Sequence, residues 1–478
     1  MGIAALDPRY ELLRTAGIAA LDPRYVRCER YERCELFIRT HYTHGLRYKV
    51  FMSTSIYPSL WSHTATPDVE GDRPTGTVEA DVAIVGGGFT GCAAALALAQ
   101  RGLTVRLLEA KSIGWGASGR TGGQVIPGLK YDPVELEAMF GPELGPRMVS
   151  AVGSVGDEVF GLIERHAIAC DAQRKGWLQP AVSQRGLDIT SRRCEQWRKR
   201  GADVVPIERS RMAKLIGSDI YIGGWEDRRA GHVQPLSYVR GLARAAQAAG
   251  AVIHVDTPAT SLARHGSGWR VTTSSCAVDA AQVLIATNGY TDHLWPGLAQ
   301  TVVPVISLQV ATPPLSDALG KDILPEGHAA SDTRRLLWYY RRDAHGRFIM
   351  GGRGPFRDAL AAGDTSRARE AVDTLFPQLR NTPFEFEWSG RVAMTQDHIP
   401  HLHRLDDGLW AALGYNGRGV GMATLLGRFL AELAAGARPA DIPFPVTSMR
   451  PIAGYPFTRL AVRALTRYYR ILDRLEVA

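Results

Sequence analysis

The sequence predicts an α/β fold in which a parallel-sheet domain is interleaved with a second domain of mixed, mostly antiparallel sheet. Three observations predict it. A strand, a glycine turn, a helix and a second strand follow one another from Asp81, in DVAIVGGGFTGCAAALALAQRGLTVRLLEA. Another strand, glycine loop and helix occupy residues 408–436, near the far end of the chain. Between them, residues 302–312, 336–342 and 347–351 have strand composition, with 343–346 as a hairpin turn.

In the first unit, residues 82–85 form a short buried strand and run into Gly86-x-Gly88-x-x-Gly91. Gly86 permits the tight turn, Gly88 lets backbone approach a pyrophosphate, and Gly91 lets helix and strand pack closely. Phe89 and Thr90 lie inside this turn, at the start of a helix of small residues (93–100) that Gly102 ends. The helix N-terminus offers free N–H groups and partial positive charge to phosphates. The next strand (103–108) ends at Glu109, 18 residues after Gly91, where a carboxylate accepts hydrogen bonds from a ribose diol and repels a 2′-phosphate. Ala110 and Lys111 follow it in the predicted contact set. The spacing and the terminal acid together point to dinucleotide binding.

Two further segments separate FAD from NAD. Residues 113–124, IGWGASGRTGGQ, have no regular period and suit backbone lying close to a ligand. Here the predicted contacts are Gly116, Ala117, Ser118, Arg120, Gly122, Gly123 and Gln124. At the far end, strand 408–413 leads into GYNGRGVG (414–421) and a helix over 422–435. A second glycine loop so far from the first implies one long cofactor touched by both ends of the chain. Residues 283–289, VLIATNG, add another apolar strand ending in a small-residue turn.

With these motifs in view, the chain resembles the FAD-dependent D-amino-acid-oxidase superfamily and, within it, the γ-glutamylputrescine oxidase-like branch. The carrying segments are 81–91, 113–124, GHVQPLSYVRGLA (231–243), VLIATNGYT (283–291), FIMGGRG (348–354), WSGRVAMTQDHIPHL (388–402) and GYNGRGVGMATLLGR (414–428). The resemblance runs from about residue 57 to the C-terminus. It implies a glutathione-reductase-like FAD-binding Rossmann domain interleaved with a β-sheet substrate domain. The expected FAD-domain pieces are 76–170, 231–300 and 385–440, the substrate-domain pieces 171–230 and 301–384, and the tail helix 441–478.

The resemblance implies oxidation of the C–N bond of an amine or amino acid, with hydride passing to the flavin and the imine hydrolysing afterwards. Electrons then leave to O₂, or to a quinone or protein acceptor; the alternatives to a soluble oxidase are a membrane-surface amine or amino-acid dehydrogenase passing electrons to quinone and a flavin subunit of a larger complex. Ala259, Thr287, Gly289, Gly417, Gly419, Val420 and Gly421 complete the expected cofactor contacts. Arg418, with the loop N–H groups, is expected to stabilise negative charge on the flavin. Some relatives attach the flavin through a cysteine where this chain has Gly390, or through a histidine in the segment matching 113–124, which has none; non-covalent FAD is therefore expected. An oxygen-activating lysine of other relatives falls near Ile349 and Met350, where this chain has none, a departure that favours the alternative of a membrane-surface dehydrogenase over an oxidase. Tyr339, Tyr340 and Arg341, with Trp388, Arg391 and His398 opposite, are the substrate-side candidates; Tyr340, His398 and Arg418 are taken as catalytic. On an alternating strand at least one of the Trp338-Tyr339-Tyr340 rings must face away, and His398 reads equally as a base or as a structural histidine.

Composition bounds what remains. The 478 residues carry 56 Lys+Arg against 48 Asp+Glu, a net charge of +8, at 45% hydrophobic and 22% charged. That is a globular composition without an apolar run long enough to span a bilayer. Six irregularly spaced cysteines fit neither a disulfide framework nor a metal site, so no metal and a reducing, cytoplasmic setting are expected. Basic residues are dispersed and mixed with acids, which argues against nucleic acid as a partner. Residues 1–51 contain GIAALDPRY twice, at 2–10 and 17–25, and read as a non-native or mis-assigned leader before Met52. In the tail, Arg459, Arg463, Arg467, Arg470 and Arg474 recur on one helical face. They read either as a membrane-surface helix or as a docked terminal helix with a solvated basic stripe, and the pattern alone favours the second.

Overall fold

The structure is a computed structural model and describes residues 59–477; the expected leader lies outside them. Strand Gly76–Val85 is central to a nine-stranded sheet. Cys276–Ile285 and Val105–Leu108 flank it, and Leu409–Leu413 and Val252–His254 lie outside these, all parallel. Val82 to Val85 are buried, as a strand covered on both faces requires. His401–Asp406 joins antiparallel and Val446–Ser448 closes that edge, while the hairpin Ser261–His265 and Gly268–Thr272 extends from Cys276–Ile285.

Helices Phe89–Ala99 and Gly419–Ala434 pack against each other, and Pro235–Ala248 packs against the first. Small residues permit this approach: a Cβ on Gly427 would come within 2.5 Å of the Thr90 carbonyl oxygen. The carboxyl ends of the parallel strands (Val85, Leu108, Ile285 and Leu413) share one edge, where ligands bind in open α/β sheets.

The second sheet has eight strands, in the order Phe386–Met394, Val303–Pro314, Arg347–Arg353, Tyr339–Arg342, Ala329–Ser331, Trp177–Pro180, Gly223–Asp227 and Val204–Glu208. All its pairs are antiparallel except Ala329–Ser331 with Trp177–Pro180. One expected boundary is corrected here. Phe386–Met394 pairs with Val303–Pro314 in this second sheet, so the chain rejoins the first sheet at His401 rather than at 385. The 441–478 segment is likewise more than a helix, since Val446–Ser448 adds a strand to the first sheet before helix Thr458–Val477 begins.

That terminal helix is docked by its acids. Asp473 accepts the backbone N–H groups of Arg335 and Leu336 at 3.0 Å each, and Glu476 pairs with Arg335 at 2.7 Å and Arg185 at 2.9 Å. The expected basic stripe is solvated, with Arg459, Arg463, Arg467 and Arg474 exposed and Arg470 half-buried, but it flanks an outward ridge that the sequence reading did not anticipate, formed by Leu460, Tyr468, Ile471 and Leu475.

Candidate active site

A cavity of about 1310 Å³ runs along the carboxyl edge of the parallel sheet and on to the second sheet. At one end the fingerprint turn forms its wall. Gly86 has φ +110°, and a Cβ there would meet the Ala286 carbonyl oxygen at 2.9 Å. Gly91 does not line the cavity; its Cβ would fall 1.9 Å from the Gly86 carbonyl oxygen, so it serves the packing task assigned to it. The Glu109 carboxylate accepts from the Gly87 N–H at 2.7 Å and the Lys111 N–H at 2.9 Å, which fixes it at the cavity wall. Burial raises its pKa against these bonds, so an arriving hydrogen-bond donor is favoured there. Ser118 accepts the Phe89 N–H at 3.0 Å and ties the helix start to the 113–124 segment.

That segment is irregular, and its carbonyls are held by buried donors from elsewhere. The Gly119 oxygen accepts from Ser59 Oγ at 2.9 Å, the Thr121 oxygen from Trp61 Nε1 at 2.8 Å, and the Gly122 oxygen from Arg341 Nε at 2.7 Å. The Arg120 oxygen accepts from Trp388 Nε1 at 3.0 Å and also from Gln309 Nε2. Gly123, at φ +73°, accepts the Val233 N–H. Each such bond is worth about 1 kcal/mol net, but a carbonyl left buried and unpaired costs about 1–3 kcal/mol. This strap joins the two sheets and turns Gly116, Ala117, Ser118, Arg120, Gly122 and Gln124 onto the cavity.

At the other end, Asn416 (φ +49°) accepts the Thr395 N–H at 2.9 Å and donates to the Gly414 carbonyl at 2.6 Å, shaping the second glycine loop. Arg418 caps helix Gly419–Ala434 and sits over the Trp177 ring at 5.3 Å. Its Nη1 has no hydrogen-bond partner among the described residues, and burial, then Arg193, brings its pKa down to about 10. It remains a cation at neutral pH.

Of the predicted contacts, Gly86, Gly88, Phe89, Thr90, Glu109, Ala110, Lys111, Ala259, Thr287, Gly417, Arg418 and Gly419 line this one cavity, together with the strap residues. Gly123, Gly289, Val420 and Gly421 do not. Gly289 packs toward Arg391, Gly421 toward Val155, and Val420 is core.

The substrate-side expectations need correction. Tyr340 does not reach the cavity: it is 1% exposed, packs on Phe348 and Phe376, and donates its hydroxyl to Tyr221 at 2.9 Å. Strand alternation puts Tyr339 on the cavity face instead, its hydroxyl 2.7 Å from Ser307 Oγ and its pKa pushed up to about 12 by burial. Arg341 and Trp388 are strap donors rather than walls. Arg391 lines the cavity but is engaged by Asp358 at 2.7 Å. His398 lines it at φ +57°, its Nδ1 unpartnered among the described residues, and burial followed by Lys130 lowers its pKa. The imidazole is therefore neutral at neutral pH.

Sequence reasoning missed Trp177, Gln179, Ser307, Arg353 and the terminal helix as walls. Arg353 was legible in part, lying two residues beyond Gly351, which pairs with Tyr339. The cross-strand register of Arg353 with Ser307 emerges only from the sheet.

If Trp388 is a strap donor, Trp388→Phe lowers stability in chemical denaturation by about 1 kcal/mol, the worth of one hydrogen bond while Gln309 still pairs the Arg120 oxygen, and loosens flavin retention, while the KM for substrate stays near wild type. A changed KM with unchanged stability would return Trp388 to the substrate wall.

The comparisons with known proteins agree with this geometry. The family model described as FAD dependent oxidoreductase, DAO, matches residues 81–433. A probable oxidoreductase OrdL of Haemophilus influenzae is 32% identical over 402 residues, covering 83% of this chain and 92% of that protein. The gamma-glutamylputrescine oxidoreductase of Escherichia coli is 31% identical over 424 residues, covering 88% and 99%. Among solved structures, glycine oxidase from Geobacillus kaustophilus superposes with a TM-score of 0.65 at 24% identity, over 77% of this chain and 98% of that one. With the fold, the glycine cradle and the sequence match in agreement, the chain belongs to the FAD-dependent oxidoreductase (DAO) family, on the branch that includes gamma-glutamylputrescine oxidoreductase, and is a flavoenzyme.

Proposed function

We propose that this enzyme oxidises the C–N bond of an amine that carries an anionic group, with FAD held non-covalently. One observation carries the reading: the cavity continues past the glycine cradle into a chamber whose walls are aromatic and hydroxylic but also present the cation Arg353. Trp177, Tyr339, Ser307 and Ser331 come from the second sheet, and Leu465, Thr466 and Tyr469 from the terminal helix. Arg353 forms no ion pair with a described residue, its Nε lacks a hydrogen-bond partner there, and burial, then Arg470, brings its pKa down to about 10. A charged guanidinium in that setting favours a carboxylate. The relative named gamma-glutamylputrescine oxidoreductase supports an amine as the oxidised group.

The residues present fit FAD. The cradle is backbone where side chains would intrude: added Cβ atoms at Gly87, Gly88 and Gly122 would approach neighbours at 2.6, 3.0 and 2.9 Å. Glu109 at one end is an acceptor for a ribose diol, and Arg418 with the N-terminus of Gly419–Ala434 supplies positive potential at the other. The flavin, when bound, supplies the hydride acceptor. The chain's part is to orient the amine and exclude water. Trp177 and Tyr339 give aromatic surface on which an amine packs, and Arg353 anchors the far end of the substrate. Tyr339 keeps its proton at any ordinary pH and so acts as a hydrogen-bond donor or acceptor, not as a base. His398, neutral, lines the cavity and is able to accept a proton. Gly390 supports non-covalent attachment, because a Cβ there would lie 2.9 Å from the Arg120 Cβ and leave no room for a linking side chain.

The acceptor is O₂ in the leading form of the reading, and a quinone or a partner protein in the alternatives. Anaerobic mixing of the yellow protein with a panel of amines and amino acids, followed by air, separates them. Bleaching by an amine and rapid reoxidation with H₂O₂ is the expected result. Bleaching without reoxidation assigns a different acceptor, and no bleaching by any amine would sink the proposal. Acid precipitation of the same protein leaves the yellow colour in the supernatant; a yellow pellet contradicts non-covalent binding.

Arg353→Leu separates the anchor from the chemistry. With an amine that carries a carboxylate, KM rises by about 10–100-fold, the worth of a charge-assisted hydrogen bond. With an uncharged amine of similar length, kcat/KM stays within about threefold, inside the usual scatter of such effects. Equal losses on both substrates would show that Arg353 is structural.

A further inference from the structure

The outward ridge of the terminal helix Thr458–Val477 is apolar where a docked surface helix is ordinarily polar. Leu460, Tyr468, Ile471 and Leu475 recur along it at helical spacing and are 66, 56, 57 and 71% exposed, with Phe457 at its start 71% exposed. Six of the eleven exposed large hydrophobic side chains among the described residues fall between Phe457 and Leu475. Phe356, beneath Arg463, extends the patch from the body of the protein. Exposed apolar surface concentrated in this way marks a contact, not scatter.

Charge identifies the occupant. Arg459, Arg463, Arg467 and Arg474 are exposed along one flank of the ridge, and none forms an ion pair with a described residue. The two acids of the same stretch, Asp473 and Glu476, are turned inward and taken by Arg335 and Arg185. The outer face therefore presents apolar side chains and cations. A second copy meeting this face through a two-fold axis would set arginine against arginine. Lipid fits better: aliphatic side chains and Tyr468 enter the headgroup–acyl boundary, while long arginine side chains reach anionic headgroups. Among the described residues no helix is long and apolar enough to cross a membrane, so the contact is peripheral.

We propose that the outer face of Thr458–Val477 binds the surface of an anionic lipid bilayer, lying in its interface. The inner face of this helix, through Leu465, Thr466 and Tyr469, is a wall of the active-site cavity, so binding places that wall against the membrane.

Co-flotation of the full-length flavoprotein with vesicles tests this, using phosphatidylcholine alone and phosphatidylcholine with phosphatidylglycerol. The expected result is flotation with the anionic vesicles, weakened by high salt, and little with the zwitterionic ones. The double variant Leu460→Glu/Ile471→Glu lowers partitioning by about tenfold or more, while the flavin spectrum and thermal midpoint stay at wild-type values. Should that variant fold poorly, Arg467→Gln/Arg474→Gln removes two contacts outside the core and lowers anionic partitioning alone. No flotation of the wild type, or flotation that both variants leave unchanged, overturns the proposal. So does a wild-type dimer in light scattering that the Leu460→Glu/Ile471→Glu variant splits, since the ridge is then a protein interface.

Discussion

The seam between the two sheets depends on a short irregular strap whose carbonyl oxygens are spoken for. From Gly119 to Gly122 every backbone oxygen accepts from a side-chain donor that originates far away in sequence: Ser59, Trp388, Gln309, Trp61 and Arg341. With no helix or strand to satisfy these groups, the fold must supply the partners from the second sheet and from residues Ser59 and Trp61, ahead of the first strand. The result is a backbone surface, fixed on its rear side, that faces the cavity with glycines in front. Cofactor binding then needs little ordering of the chain, because that ordering is already made in the folded state.

The same crowding explains why side chains are missing where they would be expected. Gly351 lies under the Tyr339 ring, where an added Cβ would come within 2.1 Å of Tyr339 Cζ, and Gly390 lies against Arg120. Tyr339 is thereby pressed toward the cavity while Tyr340, one residue on, is drawn into the second core with Phe348 and Phe376. The pleat thus sorts two adjacent tyrosines into a wall and a core residue.

Much of this was legible in the sequence. The fingerprint, Glu109 and the second glycine loop follow from local spacing, because each lies in a contiguous strand–turn–helix unit whose chemistry is written within about 30 residues; the interleaving of two domains rests instead on the family resemblance and on the order of glycine-turn and strand-rich segments along the whole chain. The strap donors were not legible. Arg341 and Trp388 look like substrate groups because cationic and aromatic residues near a flavin segment often are, and only the three-dimensional pairing shows their hydrogens turned to carbonyls. The return of the chain at His401 was missed for a related reason: Phe386–Met394 reads as a strand in either sheet, and register with Val303–Pro314 decides which. The terminal helix was legible as amphipathic, but which face turned inward depended on Asp473 and Glu476 finding Arg335 and Arg185.

The central claim is that one dinucleotide spans the cavity from Glu109 to Arg418. Titration of the apoprotein with FAD tests it in wild type, Glu109→Gln and Arg418→Met, with folding checked by thermal midpoint. The account predicts one FAD per chain and an affinity lowered by about tenfold or more in each variant, since each removes a charged contact to a different end of the same ligand. A stoichiometry of two, or an affinity that responds at one end and not the other, would contradict it.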